Sequence, residues 1–214
     1  MPLLGRVASP RPAQPAPWAG HARRRWRVLA GAWAIAWAAA LLPVAAPAGV
    51  ETRSKLTQEY DLKAVFLFNF AQFVDWPADS FPDAKAPITI GILGEDPFGK
   101  SLDDVVANES AHDRRLVVRR YQTPEQIEAC QILFISASEA GRLDHIFAAL
   151  AHRSVLTVGE TRDFTTRSGI IAFDVAQRRL RLRINVAAAS AANLTISSQL
   201  LRQAVIVGAT EPRK

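Results

Sequence analysis

The chain predicts a single layered α/β domain: a mostly parallel sheet with an antiparallel edge hairpin and flanking helices. Three observations carry this reading. After residue 58, short runs rich in β-branched residues alternate with segments of helical period, the signature of strand–helix units. The run Gln131 to Ser136 is apolar enough for a central strand covered on both faces. Gly169 to Val175 and Arg179 to Ile184 are strand signals separated by only a few residues, a spacing that suits a hairpin.

In order along the chain, Tyr60 to Trp76 reads as a helix closed by Pro77. At about 100° per residue, Tyr60, Leu62, Ala64, Phe66, Leu67, Phe70, Ala71, Phe73 and Val74 share one broad inner face, and Val65, Phe68 and Trp76 fall outside it. Pro87 to Leu93 is a strand by its β-branched content. Pro97 to Ala107 reads as a helix with Asp96 as N-cap and Pro97 in the first position. Leu116 to Tyr121 is a strand, and Thr123-Pro124-Glu125-Gln126 opens a short helix. After the strand Gln131 to Ser136, residues Ser138 to His152 read as a helix and Val155 to Val158 as a strand. In the hairpin, Leu180, Leu182 and Ile184 face inward and Arg179, Arg181 and Arg183 face out. Ala187 to Ala192 and Ile196 to Val207 are expected to end the domain as helices, with Ser197 and Ser198 capping the second.

Charge divides the chain sharply. Residues 1–48 hold six arginines and no acid, and an unbroken apolar run extends from Val28 to Leu42. Pro43 ends it, and Ala46-Pro47-Ala48 follows, which makes residues 1–48 an export leader cleaved near Ala48. The run is short for a bilayer span of roughly 18–20 residues. Residues 49–57 read as a flexible lead, 58–208 as the domain and 209–214 as a tail. Beyond the leader, basic and acidic residues balance, so the domain has no bulk electrostatic reason to bind nucleic acid or anionic lipid. Export is expected to take it out of the cytoplasm.

The chain has one cysteine, Cys130, so no internal disulfide forms. It reads either as a small buried apolar residue or as a thiol that pairs with another chain. His112, His145 and His152 lack metal-ligand spacing, and no nucleophile elbow is present. No catalytic residue, metal or cofactor is expected. Asp103 and Asp104 read as a solvated face.

Gly94 to Ser101 matches the phosphate-binding pattern G-x-x-x-x-G-K-[ST], after a strand and before a helix. Its chemistry is wrong for polyphosphate. Pro97 has no N–H to offer, and Glu95 and Asp96 put negative charge where phosphate would sit. Nucleotide hydrolysis is therefore the least favoured reading.

Several ordered segments resemble one family. They are Glu59 to Phe70 with Phe73 and Trp76-Pro77; Ile90 to Gly99, with its Asp96-Pro97-Phe98-Gly99; Cys130 to Ser136; Val155 to Val158; Gly169-Ile170-Ile171; Arg183-Ile184-Asn185; and Ile196 to Leu201. Together, from about Tyr60 to Val207, the chain resembles the YfiR/HmsC family of exported bacterial proteins. The resemblance implies a periplasmic, non-catalytic repressor that binds the periplasmic sensor part of an inner-membrane diguanylate cyclase, lowering cyclic-di-GMP and biofilm formation. It also implies that an outer-membrane lipoprotein can sequester the repressor. Two departures stand out: relatives with disulfides have more cysteines, and Asn193 stands where relatives carry Gly before the final helix.

The partner surface is expected at Val65, Phe68 and Trp76 on the first helix and at Arg181 and Arg183 on the hairpin, with a homodimer left open. The competing reading is a periplasmic small-molecule module with its pocket at Gly94 to Gly99, at the carboxyl ends of the strands.

Overall fold

The computed structural model describes residues 48–176 and 179–208, with side chains described from Lys55 onward. Apart from Ala48, the expected leader lies outside the described residues, as does the expected tail at 209–214.

Helix α1 spans Ala48–Phe73. It starts well before Tyr60, so the whole stretch 49–57 expected to be a flexible lead is helical. It ends at Phe73 because Val74–Asp75 (β1) pairs antiparallel with Thr195–Ile196 (β9). Ala64, Leu67, Phe70 and Ala71 are fully buried. Leu62, expected on the inner face, is 46% exposed. It lies about 140° around the helix from Leu67, beyond the reach of the core.

The main sheet has eight strands. They are Ile88–Leu93 (β2), Ser110–Ala111 (β3), Arg114–Tyr121 (β4), Ile132–Ile135 (β5), Leu156–Gly159 (β6), Ile171–Ala176 (β7), Arg179–Asn185 (β8) and Ala204–Val207 (β10). Their order is β10-β8-β7-β6-β5-β2-β4-β3. From β7 through β4 neighbouring strands are parallel; β8 runs antiparallel to β7, and β3 to β4. The chain leaves β2 for β4 on one side and returns to β5 on the other. The carboxyl ends of β2 and β5 therefore form a topological switch point.

The sheet is buried on both faces. Ile88, Ile90, Ile92, Ile132 and Phe134 join α1 and Lys100–Val106 (α2) in one core, while Leu93, Leu133 and Ile135 join Leu143–Ala149 (α3) in a second. That alternation within continuous apolar strands is the period of two at work.

Three boundaries differ from expectation. Asp96 does not cap α2: Gly99 does, at φ 54°, and Asp96 instead accepts hydrogen bonds from Phe98 N–H and Gly99 N–H. The helix expected from Ser138 to His152 is a 3₁₀ segment, Ala137–Arg142, followed by α3, and His152 lies beyond its end at φ 64°. The helix expected from Ile196 to Val207 is one turn, Ser198–Leu201 (α5), capped by Ser197 Oγ. Ala204–Val207 is instead strand β10, parallel to β8. Val205, Ile206 and Val207 are β-branched, and pairing with β8 outweighs the helical pattern before them. The hairpin arm β8 consequently lies one strand in from the sheet edge. Between them, Asn185 caps Val186–Ala191 (α4), and Asn193 takes φ 58°, the left-handed turn that its side chain tolerates.

Candidate functional site

The Gly94–Ser101 loop is closed by the chain's own charges. Asp96 Oδ1 accepts from Phe98 N–H at 2.8 Å and from Gly99 N–H at 3.2 Å, so a carboxylate already occupies the place of an anion. Arg120 holds that carboxylate from behind: Nε donates to Asp96 Oδ2 at 2.7 Å, and Nη2 to Asp103 Oδ2 at 2.6 Å and to Gly99 O at 2.9 Å. Asp103, read as a solvated residue, is thus half of a latch. The Arg120 guanidinium holds its carboxyl below the usual range. Lys100 reaches along α2 to pair with Asp104, and Ser101 Oγ donates to Asp61 Oδ1 at 2.6 Å. Neither points at a phosphate position.

The switch-point crevice is filled as well. Gly94, at φ 89°, leaves no room for a Cβ, which would meet Ser138 Oγ and Glu139. Glu95 N–H donates to Ser138 Oγ at 3.1 Å, and the buried Glu139 pairs with Arg142. The loops after β2 and β5 thus pack on each other where a small molecule was expected.

A different cluster forms beside them, where the loop after β6 meets the middle of α1. Lys63 is 2% exposed. Its Nζ lies 2.6 Å from Glu59 Oε1, one turn earlier, and 2.6 Å from Glu160 Oε2. It also sits 4.4 Å from the Tyr60 ring centroid and 5.8 Å from that of Phe173. Tyr60 O–H donates to Glu160 Oε1 at 3.2 Å. Burial, then the Glu160 charge, pushes the Tyr60 phenol up to about 12. The cluster forms one wall of a cleft of about 430 Å³ that also contains Asp174 and Arg183. Chemically it is a strut: every charge in it faces a partner, and it ties α1 to the end of β6.

Sequence reasoning missed this cluster. The Glu59–Lys63 spacing was legible as a helical pair, but a lysine within an amphipathic helix reads as surface. Nothing in the sequence links it to Glu160.

The residues expected at the partner surface are not brought together. Val65 is 41% exposed. Phe68 is half-buried against the α1-side core. Trp76 is half-buried at the other end of the molecule, where Nε1–H donates to Gln131 O at 3.1 Å, just before β5. Leu182 and Ile184 join the α1-side core, so Arg181 and Arg183 alternate onto the opposite sheet face. Arg181 is exposed, and Arg183 Nη1 donates to Arg162 O. Cys130 is buried, with its thiol donating to Ile132 O at 3.0 Å. Burial pushes that thiol up to about 12. A bond to another chain would require it to leave the core. His112 and His145 lie at the surface 3.9 Å and 3.8 Å from Asp75 and Glu125. Among the described residues, no three metal-ligating side chains converge.

The profile of a family described as YfiR/HmsC-like matches residues 60–205. No curated protein matches the chain. Among solved structures, a conserved domain protein from Vibrio cholerae O1 biovar El Tor aligns with a TM-score of 0.40 and 15% identity, covering 55% of this chain and 54% of that one. The chain thus spans about half the length of that structure.

Proposed function

Because the chain belongs to the YfiR/HmsC-like family, which acts in the regulation of cyclic-di-GMP signalling, we propose that it is an exported repressor of an inner-membrane diguanylate cyclase. In this reading it works in the periplasm, binds the cyclase's sensor portion, and is itself sequestered by an outer-membrane lipoprotein. The observation that carries the proposal is the family match over residues 60–205, nearly the whole described domain.

The geometry agrees with a protein that acts through its surfaces. Lys63 pairs with Glu160, Arg120 with Asp96 and Arg142 with Glu139. Repression then needs only differential affinity for the inactive state of the partner. To turn a cyclase from almost wholly active to almost wholly inactive, that difference must be about 5.5 kcal/mol.

The test is retention. The chain, produced with its leader, is expected to be cleaved and recovered from the periplasm, and to co-purify from detergent-solubilised membranes with a cyclase bearing a periplasmic sensor. Deleting its gene is expected to raise cyclic-di-GMP. An unprocessed product in the cytosol, or an unchanged cyclic-di-GMP level on deletion, defeats the reading.

A further inference from the structure

Strand β10 ends the eight-stranded sheet, and nothing pairs with its outer side among the described residues. Its four residues, Ala204, Val205, Ile206 and Val207, include neither a charge nor a proline, the devices that normally blunt an edge. Val205 is 50% exposed and Ile206 39%. The opposite edge is built differently: β3 has only two residues, and β4 behind it carries Arg114, Arg115, Arg119 and Arg120.

Beside this open edge lies unpaired positive charge. Val205 is in register with Arg183. Ala204 packs with Leu182 and Ile184 on the α1-side core, so by the period of two Val205 and Val207 share the other face with Arg181 and Arg183. Among the described residues Arg179, Arg181, Arg183 and Arg202 make no ion pair, and Asp174, in register with Arg181, is the one acid on the neighbouring strand β7. An added strand would lie two strand spacings from β8, about 10 Å, within the reach of arginine and glutamate side chains extended toward each other. Charges left about 10 Å apart would be largely screened at physiological salt, so the attraction depends on the two side chains closing that gap.

We propose that β10 is a strand-acceptor site for an extended acidic segment of a protein partner, with acids at the alternate positions facing Arg181 and Arg183 and apolar residues at the others. Main-chain hydrogen bonds to β10 supply the affinity, and the arginine row supplies the choice of partner. A second copy of this chain fits less well, because it would bring another row of arginines. The site deepens the partner-binding reading above and rests on it for the source of the strand.

The experiment uses the purified exported chain and two labelled octapeptides, one alternating Glu and Val, the other Lys and Val. The acidic peptide is expected to bind saturably and at least about tenfold more tightly than the basic one. The double variant Arg181→Glu/Arg183→Glu is expected to reverse that preference with the circular dichroism unchanged. One of Val205→Pro and Ile206→Pro is expected to abolish binding with the circular dichroism unchanged, because one of two consecutive residues directs its N–H outward. Failure of both peptides to bind, or an unchanged preference in the charge-reversed variant, overturns the proposal. So does a dimer in sedimentation that Ile206→Pro dissolves, since β10 would then serve a second copy. If peptide binding fails while cyclase co-purification holds, the strand site alone falls. If peptides bind but no cyclase is retained, the strand site stands and the repressor reading falls.

Discussion

Lys63 Nζ and Glu160 Oε2 meet at 2.6 Å across 97 residues of sequence, and both side chains are largely withdrawn from water. The pair fixes α1 to the loop leaving β6. It is a long-range polar tie between α1 and the sheet, as is Gln72 Nε2 to Ser110 O in β3 at the other end of the helix.

Breaking such a pair from one side strands a buried charge, typically at 3–5 kcal/mol. Lys63→Met leaves Glu160 with Tyr60 as its remaining partner and is expected to lose about 3 kcal/mol in urea unfolding. Glu160→Gln is expected to lose clearly less, because Glu59 still faces the ammonium at 2.6 Å. The double variant Lys63→Met/Glu160→Leu is expected to recover more than half of the Lys63→Met loss. Simple additivity of the single losses would show that the two groups do not depend on each other.

Alkaline pH should weaken the fold through one buried acid, Cys130, and one half-buried acid, Tyr60. The Cys130 thiol rises from an ordinary 9.0 to about 12, and the Tyr60 phenol from 10.0 to about 12, mainly through burial. Between those values the unfolded chain releases protons that the folded chain keeps. Stability is therefore complete below about pH 9 and falls as pH rises toward 12. Urea midpoints at pH 8, 9.5 and 11 check this, and Cys130→Ala should make the decline shallower. An alkylating reagent at pH 8 should leave the native thiol intact; rapid labelling would contradict its burial.

The Gly94–Ser101 loop makes a contrast between two cations. Lys100 pairs with Asp104 at the exposed surface, where such pairs contribute little, so Lys100→Ala should change stability by less than about 0.5 kcal/mol. Arg120 binds two carboxylates and a carbonyl oxygen, and Arg120→Ala should cost about 1–2 kcal/mol even after discounting for its exposure. Equilibrium binding of labelled ATP should be undetectable in both. Micromolar affinity lost with Lys100 would mean that Asp96 does not hold the anion position.

The strands β2, β5 and β6 were legible because their runs are uncharged and rich in β-branched residues, and β8 because Leu180, Leu182 and Ile184 alternate with arginines. What stayed hidden depended on partners far away in sequence. Val205 to Val207 follow Ser198-Gln199-Leu200-Leu201, a good helical start, and only the presence of β8 alongside makes them a strand. Asp96 looked like a helix cap because local spacing cannot show Arg120 behind it. Lys63 drew no expectation because its partner Glu160 lies 97 residues away in sequence. The surface residues proposed from helical angles scattered for a related reason: Phe68 was assigned by angle alone, without α2 packing beside α1. Fold class depends on local period and was visible; the charge cluster and the open edge depend on tertiary register and were not.

Phe164 provides the last test, since it shapes the loop that carries Glu160. Its ring is fully buried, edge-on to Phe147 at 5.5 Å between centroids. Gly159, at the end of β6, and Gly169, just before β7, press on it from two sides, and a Cβ at either would overlap the ring. Neither glycine needs a left-handed backbone, so the requirement is for space. Gly159→Ala should therefore cost about 1–3 kcal/mol, the range for overfilling a packed core. Phe164→Leu alone should also destabilise by leaving a void. Combined with Gly159→Ala it should cost less than the two losses added, because the smaller side chain makes room for the new methyl. Thermal unfolding of the four proteins gives the cycle. The loop also supplies Arg162 O to Arg183, so Gly159→Ala should loosen the arginine row as well, seen as faster amide exchange across 181–183. A neutral Gly159→Ala would mean that Phe164 has another place to go and that the loop is not pinned by this contact.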